Sequence, residues 1–417
     1  MKVLFLHQNF PGQFRHIAVY LARQADADVL AIGREQAPGL PGVQSLRYKP
    51  HRTASPHTDP YACTLEERVL HGQQVLRLLL DLKGRGYRPD VVVAHPGWGE
   101  SLYVKEPFPT AKLIHFCEYY YQVEGDDLDF DPEFPASIDD KVRVRSRNAL
   151  HLLNLESCDL GITPTHWQHS LHPAAYRDKI KVIHEGIDTA KLGPDPMATL
   201  SSPNGRVLRA GEPIATYVAR NLEPYRSFHI FMCALPRILR EHPTCQVVVV
   251  GGDDVSYGSR PKDAPNWRGR MLRENPVDPE RVHFLGKVPY EIYKRALQVS
   301  AVHVYLTCSF VLSWSLLEAM ACGCLIVGSD TVQCGRSSGI VKMAYWWTAS
   351  IPRHSPSRQR RPLPTPQNTP NCTKQHGARH RRIRVRWGRE IKFPMKNQAS
   401  TLAEPGHRLS GDTWVYR

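Results

Sequence analysis

The sequence predicts an α/β protein with two doubly wound domains, each built on a parallel sheet. Short runs of β-branched residues alternate with helix-length amphipathic segments from residue 2 to residue 330. This alternation is typical of βαβ units, whose strands form parallel sheets. A stretch rich in Pro, Gly and Ser at 193–213 interrupts the alternation, which then restarts. The interruption indicates a linker between two domains.

Residues 1–200 form the first predicted domain. Its helices are indicated by apolar residues at helical spacing, as in Leu65–Leu82, and this helix is expected to end at Gly84. The predicted strands are Lys2–Leu6, Asp28–Ile32, Asp90–Ala94, Lys112–Phe116, Asp159–Thr163 and Ile180–His184, and the predicted helices are Phe14–Arg23, Leu65–Leu82 and Asp140–Glu156.

Residues 201–330 form the second predicted domain. Gln246–Val250 contains four consecutive valines, which indicates a strand buried on both faces. The other predicted strands are Ile214–Val218, Val282–Leu285, Val302–Leu306 and Cys324–Gly328, and the predicted helices are Phe228–Arg240, Pro289–Gln298 and Trp314–Ala321. Doubly wound domains bind ligands at the carboxyl ends of their strands, so we expect a site in the cleft between the two domains.

The excess positive charge of the chain, a net +14, lies entirely in its last 87 residues. Residues 331–417 hold 17 Lys and Arg and three Asp and Glu, whereas residues 1–330 hold 37 basic and 37 acidic side chains. A neutral body excludes a basic nucleic-acid-binding surface as the main feature of residues 1–330. The tail is rich in Pro and Arg and lacks the strand–helix alternation.

The ten cysteines are scattered without metal-ligand spacing, which indicates a reduced, cytoplasmic compartment. The apolar run Val3–Leu6 is far too short for a signal-peptide core, and we expect no bilayer-spanning segment. Peripheral association with the inner face of a membrane stays open.

Three glycine-bearing loops follow predicted strands and are candidate ligand-binding loops. The first loop, His7–Phe14, contains Gly12, which lets the backbone approach a ligand closely ahead of a helix N-terminus. The second loop, His95–Glu100, places His95 at the carboxyl end of a strand, where functional side chains are often found. An ordinary turn and a packed histidine are the respective alternatives.

The third loop leads from a strand into a helix near Trp314. Free N–H groups at that helix start would suit a diphosphate. Glu318 lies on the otherwise apolar segment LLEAMA, where a carboxylate needs a partner such as a hydroxyl pair. Arg220 and Arg226 follow another strand and could clamp two phosphates, although their spacing alone favours two solvated arginines.

Together these segments resemble glycosyltransferase family 4, a family of retaining enzymes with the GT-B fold of two Rossmann-like domains. The residues that carry the resemblance are KVLFLHQNFPGQFRH at the start, then PDVVVAH, HEGIDT, ARNLEPYR and LLEAMACG, in this order over residues 1–330. The resemblance implies metal-independent sugar transfer from a nucleotide-sugar donor to a glycan or lipid-linked acceptor, as in polysaccharide biosynthesis. It implies no resident cofactor and no specific nucleic-acid partner.

The resemblance also implies roles for single residues. Arg220 and Arg226 would neutralise the donor diphosphate, although the family commonly has Lys at the second position. Glu318 would hold the ribose hydroxyls, His95 would lie beside the transferred sugar, and Gly12 belongs to a loop near the phosphates.

The chain departs from the family pattern at Phe310, where the family has a glutamate that contacts the donor sugar. Sugar recognition is therefore either different here or carried by backbone groups around Ser313. The pairs Asp127-x-Asp129 and Asp129-x-Asp131 match a DxD metal motif, but we interpret the acidic run 124–133 as a solvated loop and expect no metal.

The tail has two interpretations. It is either a basic arm that binds nucleic acid or anionic lipid, or the product of a frameshift, which we favour. Read from the third base of codon 333, the segment Cys334–Trp347 can encode VREVIRDRENGLLV, which resembles the continuation of the family. The second domain would then be incomplete, and we expect weak or no activity.

Two rival functions remain open at this stage. A nucleotide-sugar 2-epimerase of the same fold would release a free epimer, and it needs additional acid and base residues that we do not locate. A non-enzymatic binder of nucleic acid or other anions would depend on residues 331–417, and its binding would be sensitive to salt.

Overall fold

The structure of the protein is a computed structural model that describes residues 1–124, 128–131, 133–308 and 310–329 and the backbone of 344–347. It contains two larger sheets, in both of which all neighbouring strands pair in parallel. Helices flank the sheets, which confirms the predicted α/β class. Residues 127, 330–343 and 348–417, which include part of the DxD motif and most of the tail, lie outside the described residues.

The first sheet has the strand order β3-β2-β1-β4-β5-β6-β7. Its elements are β1 (Lys2–Leu6), α1 (Arg15–Ala22), β2 (Asp28–Arg34), β3 (Gln44–Tyr48), α2 (Cys63–Gly84), β4 (Val91–Ala94), β5 (Lys112–Phe116), α3 (Ile138–Ser157), β6 (Leu160–Thr163), α4 (His166–Leu171), α5 (Ala174–Arg177) and β7 (Ile180–Val182). The strand order reverses between β1 and β4, where Leu4 lies opposite Val92. A crevice at the carboxyl ends of these two strands is the usual ligand site of such a sheet.

The second sheet has the strand order β12-β11-β10-β13-β14-β15 and reverses between β10 and β13. The elements of this half are β8 (Thr199–Ser201), β9 (Val207–Arg209), β10 (Ile214–Asn221), α6 (Phe228–Glu241), β11 (Gln246–Gly252), α7 (Trp267–Glu274), β12 (Val282–Gly286), α8 (Tyr290–Val299), β13 (Val302–Tyr305), α9 (Trp314–Ala321), β14 (Leu325–Ser329) and β15 (Ala344–Trp347). Every residue of β11 is buried, as its run of valines predicts.

The structure adds elements that the sequence analysis does not predict. The predicted linker contains β8 and β9, which form a small antiparallel sheet, and the edge strand β3 and helix α7 are also additional. Strand β15 pairs in parallel with β14, so the second sheet extends beyond residue 330, the predicted end of the domain.

The carboxyl ends of the two sheets face each other. The ring of Tyr119, which follows β5, lies 4.6 Å from the ring of Phe310, which follows β13. Trp314 Nε1 at the start of α9 donates to Glu185 Oε1, beyond β7, at 2.7 Å. The edges at which both strand orders reverse therefore border one interface, in which the predicted site residues can be located.

Candidate active site

His95 lies directly after β4, at the reversal point of the first sheet. The Gly97 N–H donates to His95 Nδ1 at 3.1 Å, so a neutral His95 ring carries its proton on Nε2. This atom lies 3.3 Å from Glu118 Oε2, and Trp98 stacks on the ring at a centroid distance of 3.9 Å. The side chain is thus fixed in one orientation.

Glu118 is a site residue that the sequence analysis misses. It follows β5 by two residues, and Gln13 Nε2 donates to its Oε1 at 2.9 Å. Burial opposes ionisation of this carboxyl group, but the contacts with His95 and Gln13 outweigh burial and lower the pKa of Glu118. The site therefore presents a fixed negative charge beside His95. Its only sequence signal is an acidic residue just after a strand that neighbours β4.

The backbone conformation and the packing at position 12 both require a glycine. Its φ is +46°, and a Cβ atom at this position would overlap the imidazole of His7. His7 in turn contacts Gln13 Oε1 through Nε2 at 2.8 Å. Gly12 thus lets the loop pack against the polar cluster of His7, Gln13, His95 and Glu118, whereas its contact with a phosphate stays a prediction.

We expect Gly12→Ala to destabilise the protein by about 2–4 kcal/mol, because a positive φ and a steric overlap both penalise the methyl group. Chemical denaturation measures this free energy of unfolding. Gly42→Ala is the matched control, since Gly42 has a φ of +79° but open space around a Cβ atom. Equal losses in the two variants would contradict the role of the His7 contact.

Arg226 lies at the reversal point of the second sheet. It ends the short 3₁₀ turn Pro224–Arg226 beyond β10. Its Nη1 donates to Thr307 Oγ1, just beyond β13, at 2.8 Å, and its guanidinium lies 5.7 Å from the centre of the Tyr257 ring. The guanidinium is therefore held at the edge where both strands end. Arg220, the penultimate residue of β10, is exposed.

Glu223 supports the loop that bears Tyr257. Its buried carboxylate accepts hydrogen bonds from the backbone N–H groups of Ser256, Tyr257 and Gly258, the closest at 3.0 Å. A carboxylate held by several N–H groups orders such a loop. Glu223 lies within the segment ARNLEPYR, but the resemblance assigns a role only to the arginines of that segment.

Glu318 is buried, in agreement with its apolar flanks, and its partners come from α8. The hydroxyl of Tyr290 donates to Glu318 Oε1 at 3.0 Å, and that of Tyr293 donates to Oε2. The hydroxyl pair that the sequence analysis requires is thus present within the chain. Ser313 caps α9, accepting from the Ser315 N–H at 3.3 Å.

Phe310 lies in an aromatic cluster that joins the two halves of the protein. Its ring centre is 4.6 Å from that of Tyr119, 5.2 Å from that of Tyr257 and 5.7 Å from that of Tyr225. Where the family has a sugar-binding carboxylate, this chain has a buried apolar contact. The backbone N–H of Ser313 donates to the Tyr305 hydroxyl at 2.9 Å.

The acidic run is more ordered than predicted. Asp129 pairs with Lys141 at 3.0 Å, and Asp131 lies 3.0 Å from His229 Nε2 of α6, on the opposite half of the protein. Asp129 is exposed, as the interpretation of a solvated loop predicts, whereas Asp131 is half-buried, so that interpretation is wrong for Asp131. Within the ranges that the structure describes, no group of three His, Cys, Asp or Glu side chains is arranged to hold a metal ion.

The predicted site residues are thus brought to the facing carboxyl edges, but not all into contact. His95 is joined to Glu118 and Arg226 to Thr307, whereas the Glu318 carboxylate contacts α8. A basic, half-buried edge on one side and a histidine with a carboxylate on the other form a site suited to an anionic, polar ligand.

Comparison with solved structures defines the fold of the protein, the two-domain GT-B fold. Sucrose-phosphate synthase from Thermosynechococcus elongatus aligns with a TM-score of 0.59 and 18% identity, over 79% of this chain and 82% of the other. The catalytic domain of starch synthase IV from Arabidopsis thaliana, bound to ADP and acarbose, gives 0.52 and 14%, over 81% and 84%. The N-terminal domain of trehalose-6-phosphate phosphatase from Candida albicans gives 0.56 and 14%, over 83% and 85%.

The family follows from the sequence. Residues 25–192 match the family described as glycosyl transferase family 4 group, and residues 212–342 match glycosyl transferases group 1. The chain therefore belongs to the GT-B glycosyltransferases, which confirms the resemblance. No curated protein sequence matches the chain significantly.

Helices that could cross a bilayer are not found in the part of the chain that the structure describes.

Proposed function

We propose that this protein transfers a sugar from a nucleotide-sugar donor to a glycan or lipid-linked acceptor, with retention of configuration and without a metal ion or resident cofactor. The observation that carries the proposal is the Arg226–Thr307 pair at the reversal point of the second sheet, with the exposed Arg220 on the same edge. Diphosphates bind at such edges, where guanidinium groups and helix N-termini offer positive charge.

Sugar transfer from a nucleotide-sugar requires stabilisation of the leaving group. The departing nucleoside diphosphate gains negative charge as the bond to the sugar breaks, and positioned cations stabilise that charge in the transition state. Arg220, Arg226 and the N-terminus of α9, capped by Ser313, supply the positive charge.

Retention requires attack from the face that the leaving group departs from. In this proposal the acceptor oxygen bonds to the anomeric carbon as the phosphate oxygen leaves, and the acceptor proton passes to that phosphate oxygen. No protein nucleophile is needed. In this proposal the Gly97 N–H holds the His95 ring through Nδ1, and a sugar hydroxyl takes the place of Glu118 as the acceptor of the Nε2 proton.

Nucleoside diphosphates are the direct test of the site. We expect UDP, ADP or GDP at 1 mM to raise the thermal unfolding midpoint by several degrees, because a ligand that binds only the folded state stabilises it. The matching nucleoside is the control, since it lacks the diphosphate. A shift with none of the three diphosphates would contradict the proposal.

The same screen, repeated with sugar conjugates, separates the activities. Sugar transfer to an acceptor and hydrolysis of the donor are both expected to be weak for this chain. A chain in which the reading frame is restored at codon 333 should be compared with it. Release of a free epimer instead would favour an epimerase. Cytoplasmic location at the inner face of a membrane is part of the proposal, and cell fractionation tests it.

A further inference from the structure

The two tyrosines that bind Glu318 differ in their surroundings. Tyr293 is half-buried and makes the shorter contact with the carboxylate, whereas Tyr290, at the start of α8, is 48% exposed and donates at 3.0 Å. Their ring centres are 5.7 Å apart. One tyrosine is thus part of the packed structure, and the other lies at its surface.

Both hydroxyls stay protonated. Burial raises the pKa of Tyr293 and of Tyr290, and the neighbouring Glu318 raises each further. The two groups therefore act only as hydrogen-bond donors towards the carboxylate at physiological pH. Hydrogen bonds of this kind, from a neutral hydroxyl to a charged acceptor, are stronger than neutral ones.

The surface side of the carboxylate is occupied. Glu318 is only 8% exposed, and Tyr290, the more exposed of its two partners, donates to its Oε1. A vicinal pair of hydroxyls, as in ribose, that approaches the carboxylate from the surface therefore meets the Tyr290 hydroxyl at Oε1.

We propose that Tyr290 is an internal competitor that the ribose of a bound nucleotide displaces from Glu318, and that Tyr293 is the positioning residue that stays and orients the carboxylate. This inference rests on the proposed function, which assigns the ribose to Glu318. Tyr290 thereby lowers nucleotide affinity, and Tyr293 raises it.

Opposite effects of two matched substitutions test the inference. Calorimetric titration of UDP, ADP and GDP, and of their 2′-deoxy forms, is carried out on Tyr290→Phe, Tyr293→Phe and the wild type. We expect Tyr290→Phe to bind the ribose form about threefold to tenfold more tightly, with the deoxy form little changed, because loss of one competing hydrogen bond is of this order. Tyr293→Phe should bind the ribose form about tenfold more weakly.

The controls separate local effects from misfolding. Tyr20→Phe removes a hydroxyl from a 62% exposed tyrosine on α1 and should change neither affinity. Thermal unfolding without nucleotide shows whether each variant folds, and Glu318→Gln should abolish the preference for ribose over deoxyribose.

The outcomes distinguish the two proposals. If none of the diphosphates binds the wild type, the proposed function fails. If they bind but Tyr290→Phe leaves the ribose form unchanged or weakens it, or if the wild type does not prefer ribose, the displacement of Tyr290 is refuted while nucleotide binding stands.

Discussion

Replacing Arg226 with alanine is expected to weaken the binding of nucleoside diphosphates by about thirtyfold or more, the cost of removing a half-buried charged partner. Arg226 is held by Thr307 at the edge where β10 and β13 both end, so its charge has a fixed position. Arg220, the other arginine of this edge, is exposed near the end of β10 and lacks such a fixed position. Calorimetric titration with the diphosphate that stabilises the protein best measures the loss.

Two further variants make this experiment specific. Arg226→Lys keeps the charge and should bind within about tenfold of the wild type, since the family resemblance permits lysine here and a lysine still contacts a phosphate as a point charge. Arg240→Ala removes an exposed arginine of α6 and should have no effect. Equal losses in Arg226→Ala and Arg240→Ala would show nonspecific charge attraction instead of a built phosphate site.

The backbone architecture was predictable because its signals are local. The valines of Gln246–Gly252 predict a buried parallel strand, and the spacing of apolar residues in Cys63–Gly84 predicts a long helix. Gln44–Tyr48 was not predicted because it is an edge strand in which only Tyr48 is buried. The hairpin at 199–209 was not predicted because it consists of two three-residue strands in a segment rich in turn-forming residues.

The partners of the site residues were not predictable for a different reason. Glu118 follows His95 by 23 residues, and Thr307 follows Arg226 by 81. Parallel strands that are distant in sequence become neighbours only when the strand order is known, and a single sequence does not provide that order. The sequence therefore indicates which loops meet at the carboxyl edge, but not which side chains touch there.

The polar contacts of Glu318 show the same limit more sharply. An apolar helix with one glutamate predicts a buried carboxylate that requires donors. A nucleotide and the chain's own tyrosines satisfy that requirement equally well from the sequence, and the contacts with Tyr290 and Tyr293 appear only in three dimensions. Phe310 likewise is visible as a departure from the family, whereas its place in an aromatic contact between the two halves is not.

A second large effect is expected on acidification: the thermal unfolding midpoint should fall by about ten degrees or more between pH 7 and pH 5. The structure buries seven histidines whose pKa is lowered, His283 and six with larger shifts. Burial is the main cause in each case, and the values are about 3 for His115 and His151 and about 4 for His7, His71, His172 and His303. In the unfolded chain histidine has a pKa near 6.5.

The sign follows from the difference in bound protons. Below pH 6.5 these histidines bind protons in the unfolded chain but not in the folded chain. Their contribution to the free energy of unfolding is therefore complete above pH 6.5 and is lost as the pH falls towards 4. Each such histidine contributes roughly 1.4 kcal/mol per pH unit in this window. The free energy of unfolding of a protein is roughly 5–15 kcal/mol, so the summed contribution of six such histidines is comparable with the total stability.

His115→Leu isolates one of these contributions. His115 is fully buried, and with His151 and His172 it lines a pocket of about 10 Å³. The variant should therefore lose less stability than the wild type between pH 7 and pH 5, by up to about 2 kcal/mol. His57→Leu, at an exposed histidine, should follow the wild-type pH dependence. Carboxylates with a lowered pKa also destabilise the protein in acid, but only near and below pH 4.5, so an onset at that lower pH would refute the dominance of the buried histidines.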